Sequence, residues 1–392
     1  MPSLLKSLLR RGAEERKATR TGPLIALHGA GRAVWTPRDY AALAREGFAR
    51  NAVVFRCVRL IAEAAGSVPL VLLEQGRERD EHPLLSLLAR PNPRQSGAAF
   101  REALVGHLLV AGNAYVEAAL LDGAPRELHA LRPDRMRVVP GADGWPEAYD
   151  YSVGAETVRF RQDTGGVPPI LHVALFHPLD DHYGLSPLEA AASALDLHNA
   201  AAGWNKALLD NSARPSGALV YAGPDGQNLT EDQFERLKGE LEEQFQGARN
   251  AGRPLLLDGG LDWKAMALTP KDMDFVEARN GAAREIALAF GVPPMLLGIP
   301  GDNTYANYAE ANRALYRQTV LPLAGRIFDA LAAWLAPAFG EGRSGEGLRL
   351  VPDLDQVSAL ASERESLWKR VNEADFLTDE EKRAAVGYGP RG

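Results

Sequence analysis

Three histidines and two aspartates fall within eleven residues at His172-Val-Ala-Leu-Phe-His177-Pro-Leu-Asp180-Asp181-His182. Imidazoles and carboxylates at this density could ligate a metal ion or relay a proton. The spacing fits no metal signature, however, and in an extended strand His172 and His177 point to opposite faces. The alternative is structural: the side chains hold a corner where a strand turns into a helix. An intracellular α+β enzyme built on His172–His182 is the rival to the reading reached below. The chain has no Gly-x-x-x-x-Gly-Lys-Ser/Thr loop, no His-Glu-x-x-His and no Gly-x-Ser-x-Gly. Nucleotide hydrolysis by the P-loop route therefore lacks its residues. No catalytic residue, no metal and no cofactor is expected.

The cluster lies just ahead of the stretch around which the chain is organised. Ser186 is placed to cap a helix, Pro187 suits its first position, and Glu189 stands where a capping-box carboxylate belongs. The spacing predicts a helix over 187–213, halted by Arg214-Pro215. Its charged residues Glu189, Asp196, Lys206 and Asp210 share an arc of about 100°. The rest of its circumference is apolar or small and must be covered. A second start signal, Thr269-Pro270-Lys271-Asp272, opens a helix to about Phe290. Phe275, Ala282, Ile286, Ala289 and Phe290 fall on one side of it, and Asp274, Glu277, Gly281 and Glu285 on the other. Between the two helices, residues 214–268 read as a small α/β insertion with strands near 216–221, 253–258 and 263–268 and a charged helix from Thr230 to about Phe245.

Upstream, a helix over 51–65, a strand over 68–74, helices over 82–88 and 97–110, and strands at 127–131, 136–139, 149–153, 157–161 and 170–176 make a mixed α+β region. Gly112-Asn113 supplies the turn between the last of these helices and the strands. Downstream come a loop rich in breakers at Gly298–Thr304, a helix over 307–339 kinked by Pro322, and a linker at Gly340–Gly347. Thr378–Glu381 forms a capping box near the end, with Gly387 closing the last helix.

The 392 residues are 46% hydrophobic and 24% charged, ordinary for a soluble globular chain. A net charge of −7 and a pI near 5.7 disfavour a phosphate-seeking surface. The single cysteine, Cys57, excludes an internal disulfide and reads as a buried thiol. No apolar run is read as membrane-spanning. Met1–Arg20 carries six Lys/Arg against two Glu, with Leu4, Leu5, Leu8 and Leu9. It reads as an arm or docking helix rather than a signal peptide.

Several motifs occur in one order along the chain. They are Cys57-Val-Arg-Leu-Ile-Ala-Glu with Val68-Pro-Leu, His82-Pro-Leu, Arg90-Pro-Asn-Pro, Gly112-Asn-Ala-Tyr, Leu131-Arg-Pro-Asp-Arg-Met, Tyr183-Gly-Leu-Ser-Pro-Leu-Glu-Ala, Ala213-Arg-Pro-Ser-Gly, Phe290-Gly-Val-Pro-Pro, Thr304-Tyr-Ala-Asn and Phe376-Leu-Thr-x-x-Glu-x-Arg. In combination, over about residues 50–390, the chain resembles the portal proteins of long-tailed phages and of gene transfer agents. Ala306 stands where that family often has Ser, and the N-terminal arm and the 340–347 linker are unmatched.

The resemblance implies an α+β portal fold. Residues 1–49 would be a flexible arm, 50–185 the first part of an α/β wing, 186–213 and 269–290 two stem helices, and 214–268 the clip. Residues 291–306 would be the tunnel-loop region, 307–339 a wing helix, and 340–392 a linker and short helical crown. It also implies a dodecameric homo-oligomer at one capsid vertex of a virion or phage-like particle made in the bacterial host cytoplasm. Double-stranded DNA would pass through it non-specifically, driven by a separate terminase large subunit. The major capsid protein and a head-tail adaptor would be its other partners, with no membrane. Asp274, Glu277, Glu285, Asp302, Asn303 and Thr304 would line the channel. Leu188, Leu195, Ala201 and Leu208 would pack between subunits, and Glu231, Arg236, Lys238 and Glu243 would dock motor or adaptor. An acidic lining fits sliding DNA, because few Lys/Arg contacts then grip the phosphates.

Overall fold

The computed structural model describes residues 35–163, 165–210, 217–221, 230, 232, 235–236, 261–265, 275–300, 305–340 and 347–388. A helical turn at Tyr40–Ala42 (α1) runs into a π-helical stretch at Leu43–Ala49. Asn51 then caps Ala52–Ser67 (α2) by accepting from the Val53 and Val54 amides. Along α2 the buried Val54, Cys57, Val58, Ile61, Ala62 and Ala65 recur every three or four residues, so one face enters the core. Cys57 lies on that face, and burial pushes its thiol up to about 12, out of the reactive range.

Pro83–Ala89 (α3) and Gly97–Ala111 (α4) follow, the latter capped by Ser96. The strands form antiparallel sheets. Leu70–Glu74 (β1) is flanked by Arg77–Arg79 (β2) and by Leu348–Pro352 (β11), from the far end of the chain. Asn113–Leu121 (β3) is flanked by Ala124–Leu131 (β4) and Ile170–Ala174 (β8). Pro146–Val153 (β6) is flanked by Met136–Pro140 (β5) and Glu156–Arg161 (β7). In this last sheet Arg137 and Arg159 stand in register on either side of the buried Asp150. Both donate to its carboxylate, at 2.7–2.9 Å, and hold it well below the usual range.

Pro187–Ala190 (α5) and Ala192–Asp210 (α6) lead to Gly217–Tyr221 (β9), which pairs with Leu261–Ala265 (β10). Phe275–Ala289 (α7) returns and packs on α6. Tyr305–Leu315 (α8), a π-helical turn at Tyr316–Val320 and Leu321–Phe339 (α9) make one run. Ala361–Asn372 (α10) and Asp379–Val386 (α11) end the described chain, with the predicted capping box present at Thr378 and Glu381. One large core joins α2, α4, α7 and α9 to the β3 sheet and to β1–β11. A smaller core of Tyr115, Leu131, Met136, Val138, Tyr149 and Ile170 lies between the β3 and β6 sheets.

Five expectations are corrected. The arm does not extend to residue 49. The Thr36 amide and hydroxyl both donate to Asp196, and Asn199 Nδ2 donates to the Glu46 carbonyl at 2.9 Å, so 36–49 is docked on α6. The helix from Pro187 is interrupted at Ala191, whose φ of −85° and ψ of 3° leave helical geometry. The run expected as one α-helix over 307–339, kinked at Pro322, is not α-helical throughout. Pro322 sits at the start of α9 behind the wider π-turn, where the Leu321 amide bonds the Tyr316 carbonyl, and this turn absorbs the missing proline donor. Residues 348–352 form a strand of the β1 sheet rather than part of a linker and crown. Finally, the run Asn307–Phe339 is long and apolar enough, by length and composition, to cross a membrane. Half of its apolar window is buried in the core, against α2, α4 and β8, which accounts for its hydrophobicity.

Candidate channel and docking surfaces

Three members of the histidine–aspartate cluster, His172, His177 and Asp180, are held in structural contacts. His172, on β8, stacks on the Tyr115 ring at 4.3 Å, and its Nε2 lies 2.9 Å from Asn113 Oδ1. The same oxygen accepts from the Gly184 amide at 2.8 Å, so Nε2 carries the proton in this bond. Burial, and then His182, push the imidazole down to about 4, leaving it neutral. His177 Nδ1 accepts from the Leu179 amide at 3.0 Å. Asp180 Oδ1 accepts from the His182 and Tyr183 amides at 2.8 and 2.9 Å. Among the described residues no group of three or more His, Cys, Asp or Glu is placed to hold a metal ion.

The cluster braces a crossing of two backbone segments. Gly112 ends α4 at φ +73°, and a Cβ there would lie 2.1 Å from the Gly184 carbonyl oxygen. A Cβ on Gly184 would lie 2.2 Å from the Gly112 carbonyl oxygen in return. Two glycines are what this approach admits. From here the chain enters α5, where Ser186 Oγ accepts from the Glu189 amide at 2.9 Å.

On the paired helices, Leu188 and Leu195 are fully buried and Ala201 is 3% exposed within the chain itself. The expectation sets them between subunits; within the chain, Leu188 and Leu195 belong to the large core, where Leu188 lies beside Gly47 of the π-helical stretch. The side chain of Leu208 lies outside the described residues. The opposite side of α6 exposes Ser193, Leu197 and Ala200, an apolar surface that the alanine-rich pattern did not single out. On α7, Ala282, Ala283, Ile286 and Ala287 are buried, while Glu277 and Glu285 are exposed on the far face. Arg284 and Leu288 share that face, so it is less purely acidic than the residue spacing alone suggests. Arg284 donates to the Pro300 carbonyl and so ties α7 to the start of the breaker-rich loop. Asp274, Asp302, Asn303 and Thr304 lie outside the described residues, as do Glu231, Lys238 and Glu243. Arg236 is helical and exposed.

The excursion between α6 and α7 closes on itself at β9 and β10, paired from Gly217–Ala265 to Tyr221–Leu261. The chain thus carries two packed helices, an insertion closed by a strand pair, and a larger α+β body. A family model described as phage portal protein matches residues 52–387. The chain belongs to the phage portal protein family. An uncharacterized protein of Rickettsia bellii (strain RML369-C) is 44% identical over 345 residues, 87% of this chain and 88% of that protein. The portal protein of Enterobacteria phage HK97 is 28% identical over 356 residues, 86% of this chain and 78% of that protein. A solved neck of a native gene transfer agent particle, computed with C12 symmetry, contains a chain 58% identical to this one, with a TM-score of 0.69. The match covers 93% of this portal-family chain and 97% of that one.

Proposed function

We propose that twelve copies of the chain close into a ring at one vertex of a phage-like particle and that double-stranded DNA passes through its lumen. The observation that carries this reading is the 58% identity, over 93% of the chain, to the protein of a particle neck computed with C12 symmetry. The same likeness favours a particle of the gene transfer agent kind. In this reading α5–α6 and α7 are the stem, and the insertion closed by β9–β10 is the clip. The α+β body, including residues 36–49 and β11, is the wing, and the last helices form a short crown.

The ring works as a conduit. The exposed face of α7, with Glu277 and Glu285, faces the lumen together with Asp274 and with Asp302, Asn303 and Thr304 of the tunnel loop. Carboxylates repel the phosphate backbone, so the DNA stays centred and mobile. The charged helix of the clip, with Glu231, Arg236, Lys238 and Glu243, meets the terminase motor during packaging and the head-tail adaptor afterwards. The wing meets the major capsid protein. The chain itself performs no catalysis: His177 and Asp180 are engaged with backbone amides and His172 with Asn113 and Tyr115, and nucleotide hydrolysis comes from the separate motor.

Class averages of the purified protein test the reading. Closed rings with twelve-fold symmetry and an open centre are expected. Discrete monomers at micromolar concentration would overturn it.

A further inference from the structure

The loop from Phe176 to Tyr183 is held far more firmly than a connection needs. At one end the Leu175 amide donates to the Gly112 carbonyl at 2.8 Å, and at the other the Gly184 amide donates to Asn113 Oδ1 at 2.8 Å. Within it, His177 and Asp180 fix three backbone amides, Pro178 restricts the turn, and the Tyr183 hydroxyl accepts from the Val138 amide at 2.9 Å. This frame presents two bare apolar side chains to solvent: Phe176 is 79% exposed and Leu179 90%. Pre-ordering an exposed apolar pair removes the entropy that a partner would otherwise have to overcome on binding.

A matching recess lies elsewhere on the chain. The π-helical stretch 43–49, α2 and α4 enclose a groove of about 380 Å³ lined by Ala44, Phe48, Val58, Ala62, Ala103 and Gly106. Gly106 is in the interior of α4, where glycine is destabilising relative to alanine. Among the described residues nothing lies within 4 Å of a Cβ added to it, so none of them requires the gap. The walls and the loop also differ in charge. The elements that enclose it, residues 43–67 and 97–111, carry five arginines against three glutamates, with Arg50 paired to Glu46 and Arg59 to Glu63, whereas the loop carries Asp180 and Asp181. The exposure of Phe176 and Leu179 means that the loop does not fill its own groove.

We propose that Phe176 and Leu179 of one subunit seat in this groove of the next, wing to wing around the ring. A cyclic ring of identical chains needs two different, complementary patches on each chain, and the loop and the groove supply them. The proposal rests on the ring reading above.

Cross-linking of the full chain tests it. One chain carries Leu179→Cys and another Ala103→Cys; the native Cys57 is fully buried and does not compete. Mixed rings under mild oxidation should give a covalent dimer, and the double variant a ladder extending to the closed ring. Leu121→Cys, on an exposed hairpin tip, is the control partner for Ala103→Cys. Filling the groove with Gly106→Leu should leave folding intact but raise the protein concentration needed for ring formation at least tenfold. Rings that assemble normally with Gly106→Leu, or that show no cross-link above the Leu121→Cys control, overturn the proposal and leave the ring reading standing. A wild-type chain that forms no rings overturns both.

Discussion

Asn113 uses its whole hydrogen-bonding capacity at one crossing of the chain. Its Oδ1 accepts from Gly184 and His172, and its Nδ2 donates to the Ala111 carbonyl at 2.8 Å and, at 3.5 Å, to the Gly184 carbonyl. The neutrality of His172 follows from burial at this site, which disfavours the charged ring, and then from the nearby His182. His107 is likewise pushed by burial down to about 4. Both imidazoles ordinarily titrate at 6.5, so between there and about 4 the unfolded chain binds protons that the native chain does not. Stability is therefore complete above about pH 6.5 and falls as the pH drops toward 4, by about 1.4 kcal/mol per pH unit for each histidine mid-window. His172→Phe keeps the stacking on Tyr115 and removes one titrating group. Denaturant unfolding across pH 4–7.5 should give a less stable variant with a shallower slope; an unchanged slope would mean that His172 is protonated in the native chain.

At the scale of elements, α6 shows how packing assigns a face that composition leaves open. Alanines occur all round the helix, and Leu195 and Leu197 are both plausible core residues by type. In the fold Leu195 is fully buried and Leu197 is 49% exposed. Leu195→Ala should cost about 2–5 kcal/mol through lost burial and a residual cavity. Leu197→Ala should stay within about 0.5 kcal/mol in the unassembled chain. Equal losses in denaturant melts would mean that the helix is rotated from the orientation described. The π-turn before α9 is a second case. The Thr319 hydroxyl donates to the Gly291 carbonyl at 2.8 Å, so the widened turn is also a clasp on the end of α7.

For the whole molecule, the proposal that the α7 face lines the lumen makes its charge a test of how a ring treats DNA. Replacing Glu277 and Glu285 with Lys reverses two exposed charges per subunit, repeated around the ring. Each additional phosphate that a lysine neutralises should steepen the slope of log affinity against log salt by about 0.9. Isolated variant rings should retain DNA at low salt and release it steeply as salt rises, while ring assembly survives. Packaged genome length should fall. Retention equal to wild type across the salt series would place this face away from the channel.

The sequence by itself determined the local stops and starts and the order of elements. Ser186 and Thr378 cap the helices that their side chains predict, Asn51 and Ser96 cap two more, and Gly112 and Gly387 end theirs in the left-handed conformation, because caps are satisfied within a few residues. The ordered motifs also carried the family. Tertiary structure alone decided which surfaces meet. β11 has a short, ordinary sequence and becomes a strand only because β1, at the other end of the chain, offers it a ladder. Leu188 and Leu195 look equally suited to a neighbouring subunit or to their own core until the fold is seen to bury both within the chain. The histidine–aspartate cluster looked like chemistry because side-chain types are visible in sequence, whereas the amides that engage His177 and Asp180 and the side chains that engage His172 are not. Burial and hydrogen bonding depend on atoms brought together from distant parts of the chain, and residue spacing cannot encode them.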